Sequence, residues 1–120
     1  MGGMKIYYIS EANSDLDNIF DYISQNYYSE TIARATIQKI VSGIKRLSTM
    51  PNLGVSLDKR LGRKLNETVE IRMLILDTYL VFYFVDDNQV FVMRALAAKQ
   101  DFMRFLNHFS AIAEEKSQTR

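Results

Sequence analysis

Residues 63–96 read RKLNETVEIRMLILDTYLVFYFVDDNQVFVMRAL. Three apolar runs, at 69–76, 79–85 and 90–96, are separated by Asp77-Thr78 and by Asp86-Asp87-Asn88-Gln89. Valine, isoleucine, tyrosine and phenylalanine suit a pleated, half-buried surface, and the Asp/Asn clusters supply turn chemistry. The pattern predicts an antiparallel three-stranded meander. A two-residue turn at Asp77-Thr78 sets Leu76 against Tyr79, Leu74 against Val81 and Arg72 against Tyr83. A second hairpin closing around Asp87-Asn88 sets Val81 against Arg94 and Tyr83 against Val92.

Alternation then sorts the side chains onto two faces. One carries Ile71, Met73, Ile75, Leu80, Phe82, Phe84, Phe91, Met93 and Ala95, all apolar, and is the face that helices are expected to cover. The other carries Arg72, Leu74, Tyr79, Val81, Tyr83, Val92 and Arg94. On this reading it is an open apolar floor bearing two guanidiniums and two phenols. A one-residue slip in any strand would undo this sorting. An alternative is that the arginines only lie at an edge and keep the sheet soluble.

Working outward, residues 5–9 (KIYYI) form a short first strand, most economically placed beside the run at 90–96. Ser10 is the expected cap of a helix reaching about Asn26, with Glu11 in its first turn and Ala12, Leu16, Ile19, Phe20 and Ile23 at helical spacing. Its acids, Glu11, Asp15, Asp17 and Asp21, read as a solvated face. Ser29 caps a second helix to about Met50, striped by Ile32, Ala33, Ile37, Ile40, Val41, Ile44 and Leu47. Gly43 in that stripe suggests close packing against the first helix. Pro51 and Gly54 end it. The short break between the two helices makes a helical hairpin, whose stripe needs the sheet as its partner. Residues 52–62 read as an irregular basic loop. Residues 99–114 read as a last helix, with Phe102, Phe105, Leu106, Phe109 and Ile112 on one side. The fold class is α+β: an N-terminal strand and helical hairpin packed on an antiparallel meander, with a C-terminal helix.

With 120 residues, 48% of them hydrophobic, the chain suits one compact domain. The domain is read as 4–114, with 1–3 as a cloning remnant ahead of Met4 and 115–120 as a frayed polar tail. A net charge of +1 gives no overall field, although Lys59, Arg60, Arg63 and Lys64 crowd one stretch. With no cysteine and one histidine, neither a disulfide framework nor a paired metal-ligand motif is present, and no cofactor is implied. No leader segment or apolar run near membrane length is found, so the expected setting is the cytoplasm, with no membrane partner. His108 reads as a surface or packing residue of the last helix.

Phosphate loops and nucleophile elbows are missing. The best constellation is Arg72, Arg94, Tyr79 and Tyr83 on the open face, with Lys99 and the basic residues 59–64 at its margins. Guanidinium forks match phosphates and phenol rings stack on bases, so the set suits RNA; it suits an acidic protein segment equally.

The order of these passages is distinctive. SDLDNIFDYI at 14–23 fits xDLxxIxxYI, and residues 44–54 fit IxxLxxxPxxG. Residues 72–87 fit RxLxxxxYLVFYxVDD, and 90–101 fit VxVxRxLxxxxD. Together they resemble the RelE/ParE superfamily of type II toxin–antitoxin toxins across nearly the whole chain. The resemblance implies a small α+β fold, growth inhibition and neutralisation by an antitoxin. RelE-like members cut mRNA on the ribosome without a metal; ParE-like members poison DNA gyrase. Where RelE-like strands carry an arginine this chain has Leu80, a later arginine falls near Lys99, and the C-terminal tyrosine falls near Phe105. The long hairpin and the ending ALAAKQDFMRFLNHF look more like ParE, although Ala97 stands where its tail commonly has a histidine. The resemblance therefore favours a gyrase inhibitor. One alternative is a ribosome-dependent endonuclease using Arg72, Arg94 and Lys99; another is an inactive relative that only binds its antitoxin.

Overall fold

The computed structural model describes residues 2–118. Along the chain run β1 (Lys5–Tyr8), α1 (Ser10–Asn26), α2 (Glu30–Lys45), β2 (Val55–Ser56), α3 (Leu57–Leu61), β3 (Arg72–Leu76), β4 (Tyr79–Asp86), β5 (Gln89–Ala97) and α4 (Leu106–Gln118). Single 3-10 turns at Arg46–Ser48 and Phe102–Phe105 finish α2 and lead into α4. The strands form a five-stranded mixed sheet in the order β1-β5-β4-β3-β2, with β1 parallel to β5 and the other pairs antiparallel.

Both hairpins close where the turn residues place them. Asp77, Asp87 and Asn88 take positive φ values of 57°, 52° and 60°, a region Asp and Asn tolerate better than most residues. Leu76 faces Tyr79, Leu74 faces Val81 and Arg72 faces Tyr83, as expected. The second hairpin departs at one point. Tyr83 faces Val92, yet Phe82 faces Arg94 and Val81 faces Ala95, so Met93 is an extra residue in β5, a β-bulge. Beyond the bulge every side chain changes faces relative to the unbroken alternation. Arg94 therefore lies opposite Phe82, while Arg72 lies opposite Tyr83 on the other side of the sheet.

The layers also correct the expected packing. The α1–α2 hairpin covers the face that the sequence left open: Ala12, Ile40, Ile44 and Leu47 pack with Leu74, Val81, Tyr83, Val92 and Ala95. The opposite face, with Ile71, Met73, Leu80, Phe82, Phe84 and Met93, is covered by α4 through Leu106, Phe109, Ile112 and Ala113, and by Leu57 of α3. The sheet is the middle of three layers, which is why both of its faces are apolar.

Other expectations shift locally. β3 begins at Arg72 rather than near Val69, because the Asn66 side chain accepts the N–H groups of Thr68 and Val69 and holds them in a turn. Residues 52–62 are not irregular, since β2 and α3 lie within them, and Gly62 ends α3 at φ 74°. Ser29 caps α2 by accepting the Ile32 N–H, as read from sequence. Ile9 rather than Ser10 occupies the cap position of α1, and the Ser10 hydroxyl turns to Glu11. Gly43 accommodates Leu76 of β3, not the first helix: a Cβ there would lie 2.5 Å from a Leu76 methyl. The last helix starts at Leu106, after Asp101 accepts the Met103 N–H, and it runs through Gln118. Residues 119–120 of the expected polar tail lie outside the described residues, as does Met1 of the expected remnant.

Candidate functional site

The expected arginine face does not assemble. Arg94 donates from Nε and Nη2 to the two carboxylate oxygens of Asp15, at 2.7 and 2.9 Å, and Asp15 also accepts the Ala95 N–H at 2.8 Å. β1 pairs with β5 only as far as Val92, so Asp15 closes the strand edge where a neighbour is missing. The Arg94 guanidinium lies 5.1 Å over the Phe105 ring. Arg72, on the other face, donates to the Gly54 carbonyl at 2.7 Å and to Glu70 at 3.2 Å. The Ser56 hydroxyl bonds the second Glu70 oxygen, and this bond, ahead of the nearby Arg72 charge, holds the Glu70 carboxyl below the usual glutamate range.

Tyr83 is buried outright. Its hydroxyl donates to the Pro51 carbonyl at 2.7 Å and accepts the Gly54 N–H at 2.9 Å, and burial pushes its pKa up. These contacts clip the chain before β2 to the sheet. Gly54 is required there, because a Cβ would stand 2.9 Å from the Met73 carbonyl oxygen and 2.7 Å from the Tyr83 ring. Arg72, Tyr83 and Arg94 thus have structural tasks. Lys59, Arg60, Arg63 and Lys64 are exposed on α3 and the turn after it. That segment leaves Ser56 opposite Arg72, whereas Lys99 follows Ala97, which lies opposite Tyr79. The two basic groups lie at opposite ends of the meander. His108 packs beside Phe105 and Phe109, its Nε2 out of solvent and without a hydrogen-bond partner.

Three of the expected residues, Tyr79, Arg94 and Lys99, do share a surface, in a different place. A groove of about 1300 Å³ opens between the α1–α2 hairpin and the end of the sheet at the β3–β4 turn. Ile19, Tyr22, Ile23, Tyr27, Tyr79 and Lys99 are among its walls. The Lys99 ammonium lies 5.9 Å from the Tyr22 ring centre. Tyr22 and Tyr27 are 54% and 63% exposed, more than a folded monomer needs from aromatic rings on neighbouring turns. Burial, with smaller contributions from Tyr27 and Asp77, raises the Tyr79 pKa, so its phenol stays a protonated donor at neutral pH. The groove presents apolar and aromatic area with phenol and ammonium groups at the rim, the make-up of a docking surface. Tyr22 and Tyr27 escaped the sequence reading because they lie off the buried stripe of α1. The YI of the first motif and the paired Tyr27-Tyr28 at the break between helices were the available signals.

Among the described residues, no cluster of His, Cys, Asp or Glu could hold a metal, and no helix is long and apolar enough to cross a membrane.

The helical hairpin packed on a five-stranded mixed sheet is an architecture found in another solved protein. One solved chain, from the chromosomal ParDE toxin–antitoxin system of P. aeruginosa, shares it with a TM-score of 0.63 at 21% identity, covering 80% of this chain and 97% of that one. No curated protein matches the sequence significantly. Residues 6–102 match the family described as the ParE toxin of the type II toxin–antitoxin system parDE, and the chain belongs to that family.

Proposed function

We propose that this ParE-type toxin arrests growth by binding DNA gyrase, and that a cognate antitoxin neutralises it by occupying the groove between the hairpin and the sheet. The observation that carries the choice of target is the engagement of the groups a nuclease would need. Arg94 is held by Asp15, Arg72 by Gly54 and Glu70, and the Tyr83 hydroxyl by Pro51 and Gly54. Leu80 and Phe105, where RNA-cutting relatives carry arginine and tyrosine, offer neither acid–base chemistry nor charge stabilisation. Tyr22, Tyr27, Tyr79 and Lys99 form the proposed contact surface for the target, with the basic residues 59–64 as a separate patch.

The test is supercoiling by purified gyrase with the toxin added. The expected result is loss of supercoiling with trapped, cleaved DNA. Normal supercoiling would reject the gyrase reading. Cuts at the ribosomal A site in a toeprint would replace it with the nuclease reading, and unaffected growth on expression of the soluble chain would leave only antitoxin binding.

A further inference from the structure

The basic stretch at residues 59–64 is anchored more firmly than an ordinary surface loop. Leu57, Leu61 and Leu65, four residues apart, turn toward the core: Leu57 and Leu65 are 0% and 7% exposed, and Leu61 packs partly buried against the same cluster. The backbone around them is pinned. The Leu57 N–H donates to the Ile71 carbonyl at 2.9 Å, the Arg63 N–H to the Asp58 carbonyl at 3.2 Å and the Leu65 N–H to the Asp58 carboxylate at 3.3 Å. Lys59, Arg60, Arg63 and Lys64 fill the positions between the leucines, and all four are exposed. They form a fixed basic ridge on α3 and the turn after it.

The charges on this ridge have no close acidic partner. Among the described residues none of the four takes part in an ion pair. The acids nearby are turned to other tasks: Asp58 to the Leu65 N–H, Glu70 to Ser56 and Arg72, and Glu114 to Asn66. Lys64 and Lys59 feel Asp58 and Glu70 only as neighbouring charges. No acid is interleaved between Lys59 and Lys64. Four like charges within six residues repel one another, and a bound polyanion relieves that repulsion.

The kind of polyanion follows from what surrounds the ridge. No aromatic residue stands between Tyr28 and Tyr79 in the sequence, and the exposed rings, Tyr7, Tyr22, Tyr27 and Tyr28, belong to β1 and the hairpin. A single strand, whose bases stack on such rings, has nothing to hold it here. Neither the large groove nor a shallow depression lined by Lys39 and Arg46 on α2 includes any of the four residues. An acidic protein segment therefore finds no pocket for its side chains. A duplex, whose closely spaced phosphates ask only for cations, fits. We propose that the ridge at residues 59–64 is a sequence-independent contact site for the phosphate backbone of duplex DNA. It lies at the β2–β3 end of the meander, away from the groove, so both surfaces can be occupied together. On the gyrase reading, the DNA is the segment that gyrase holds while the groove meets the enzyme. Only that clause rests on the proposed function; the DNA contact does not.

The experiment is fluorescence anisotropy of a labelled duplex of about 20 base pairs, titrated with the full chain across a salt series and without gyrase. Four phosphate contacts predict log affinity falling against log salt with a slope of about −3.6, a loss of roughly 150-fold between 50 and 200 mM. Two duplexes of unrelated sequence are expected to bind alike. Arg60→Gln combined with Arg63→Gln is expected to halve the slope, to about −1.8, and to weaken binding at 50 mM salt at least tenfold. Lys45→Gln combined with Arg46→Gln, exposed at the end of α2, removes the same charge elsewhere and is expected to leave the slope unchanged. Circular dichroism confirms that each variant is folded. No binding at 50 mM salt, equal losses in the two double variants, or tighter binding of a single strand or a polyglutamate peptide than of the duplex would overturn the proposal. Because gyrase is absent from the titration, a failed supercoiling assay and a failed DNA contact are separate results.

Discussion

Asp15 and Arg94 lie 79 residues apart in sequence and form a forked ion pair at 2.7 and 2.9 Å, with side chains only 10% and 16% exposed. The pair joins the first helix to the sheet at the point where β5 loses its neighbour. Removing one member strands the other in a dry site. Asp15→Ala is expected to cost about 3–5 kcal/mol in urea unfolding, since breaking a buried pair leaves an uncompensated charge. Replacing both members, as Asp15→Leu with Arg94→Met, should recover part of that loss but not all of it. The Ala95 N–H then has no acceptor, leaving a deficit of about 1–3 kcal/mol. If the single and double variants are equally unstable, the two residues are not coupled.

This pair also marks where the sequence stopped being legible. The three strands of the meander, their two turns and the first register followed from alternation and from Asp/Asn turn chemistry, because those signals are local; β2 and α3, within residues 52–62, did not. Which face receives which helices did not follow. Leu74, Val81, Tyr83 and Val92 are as apolar as Met73, Leu80, Phe82 and Phe84, and that equality was itself the sign of a sheet covered on both sides. The bulge at Met93 was invisible because methionine fits either face. Asp15 was assigned to a solvated surface although it falls three residues after Ala12 and one before Leu16, within the buried stripe. An acid at such a position asks for a partner across the core.

Tyr83 tests whether a phenol of the expected site is structural. Its hydroxyl accepts the Gly54 N–H and donates to the Pro51 carbonyl. Tyr83→Phe leaves both groups buried and unpaired and is expected to cost about 1–3 kcal/mol in stability. Toxin held folded at low temperature should keep its potency. Lost potency at unchanged stability would return Tyr83 to a functional role.

Gly43 and Leu76 give a prediction whose sign depends on background. Gly43→Ala should gain up to ~1 kcal/mol of helix propensity, but the new methyl would stand 2.5 Å from a Leu76 methyl that must then move. Alone the substitution is expected to be neutral or destabilising. In a Leu76→Ala background it should stabilise by about 1 kcal/mol, the helix term alone. Thermal melts of the four proteins of this cycle measure the reversal, and equal effects in both backgrounds would show that the contact does not matter.

Glu70 gives the acid dependence. Its pKa is lowered on folding, first by the Ser56 hydrogen bond and then by Arg72. Such a group stabilises the fold above its unfolded pKa, and the contribution disappears as pH falls through the lower, folded value. Wild type should exceed Glu70→Gln in stability at neutral pH, with the gap closing below the ordinary glutamate range. With the carboxylate 39% exposed, screening keeps the gap under about 1 kcal/mol. Urea midpoints at pH 7 and pH 3 check it; a constant gap would mean that Glu70 does not titrate in that window.

The groove and Arg72 make opposite predictions for activity. Tyr22 is 54% exposed, and Lys99, also exposed, touches the rest of the chain through the Tyr22 ring. Neither supports the core, so Tyr22→Ala and Lys99→Glu should leave the melting temperature within a degree or two. If the groove meets the target, an aromatic anchor and the cation beside it are the residues to carry binding, and each change should weaken gyrase inhibition about thirtyfold, near 2 kcal/mol. Arg72→Lys, which keeps a charge but not the fork that reaches Gly54 and Glu70, should instead lower stability and leave inhibition intact at a temperature where the protein is folded. Dose–response curves for supercoiling, read beside thermal melts, separate the two behaviours. Inhibition that follows Arg72 and ignores Tyr22 would place the working surface at the β2–β3 end of the sheet instead.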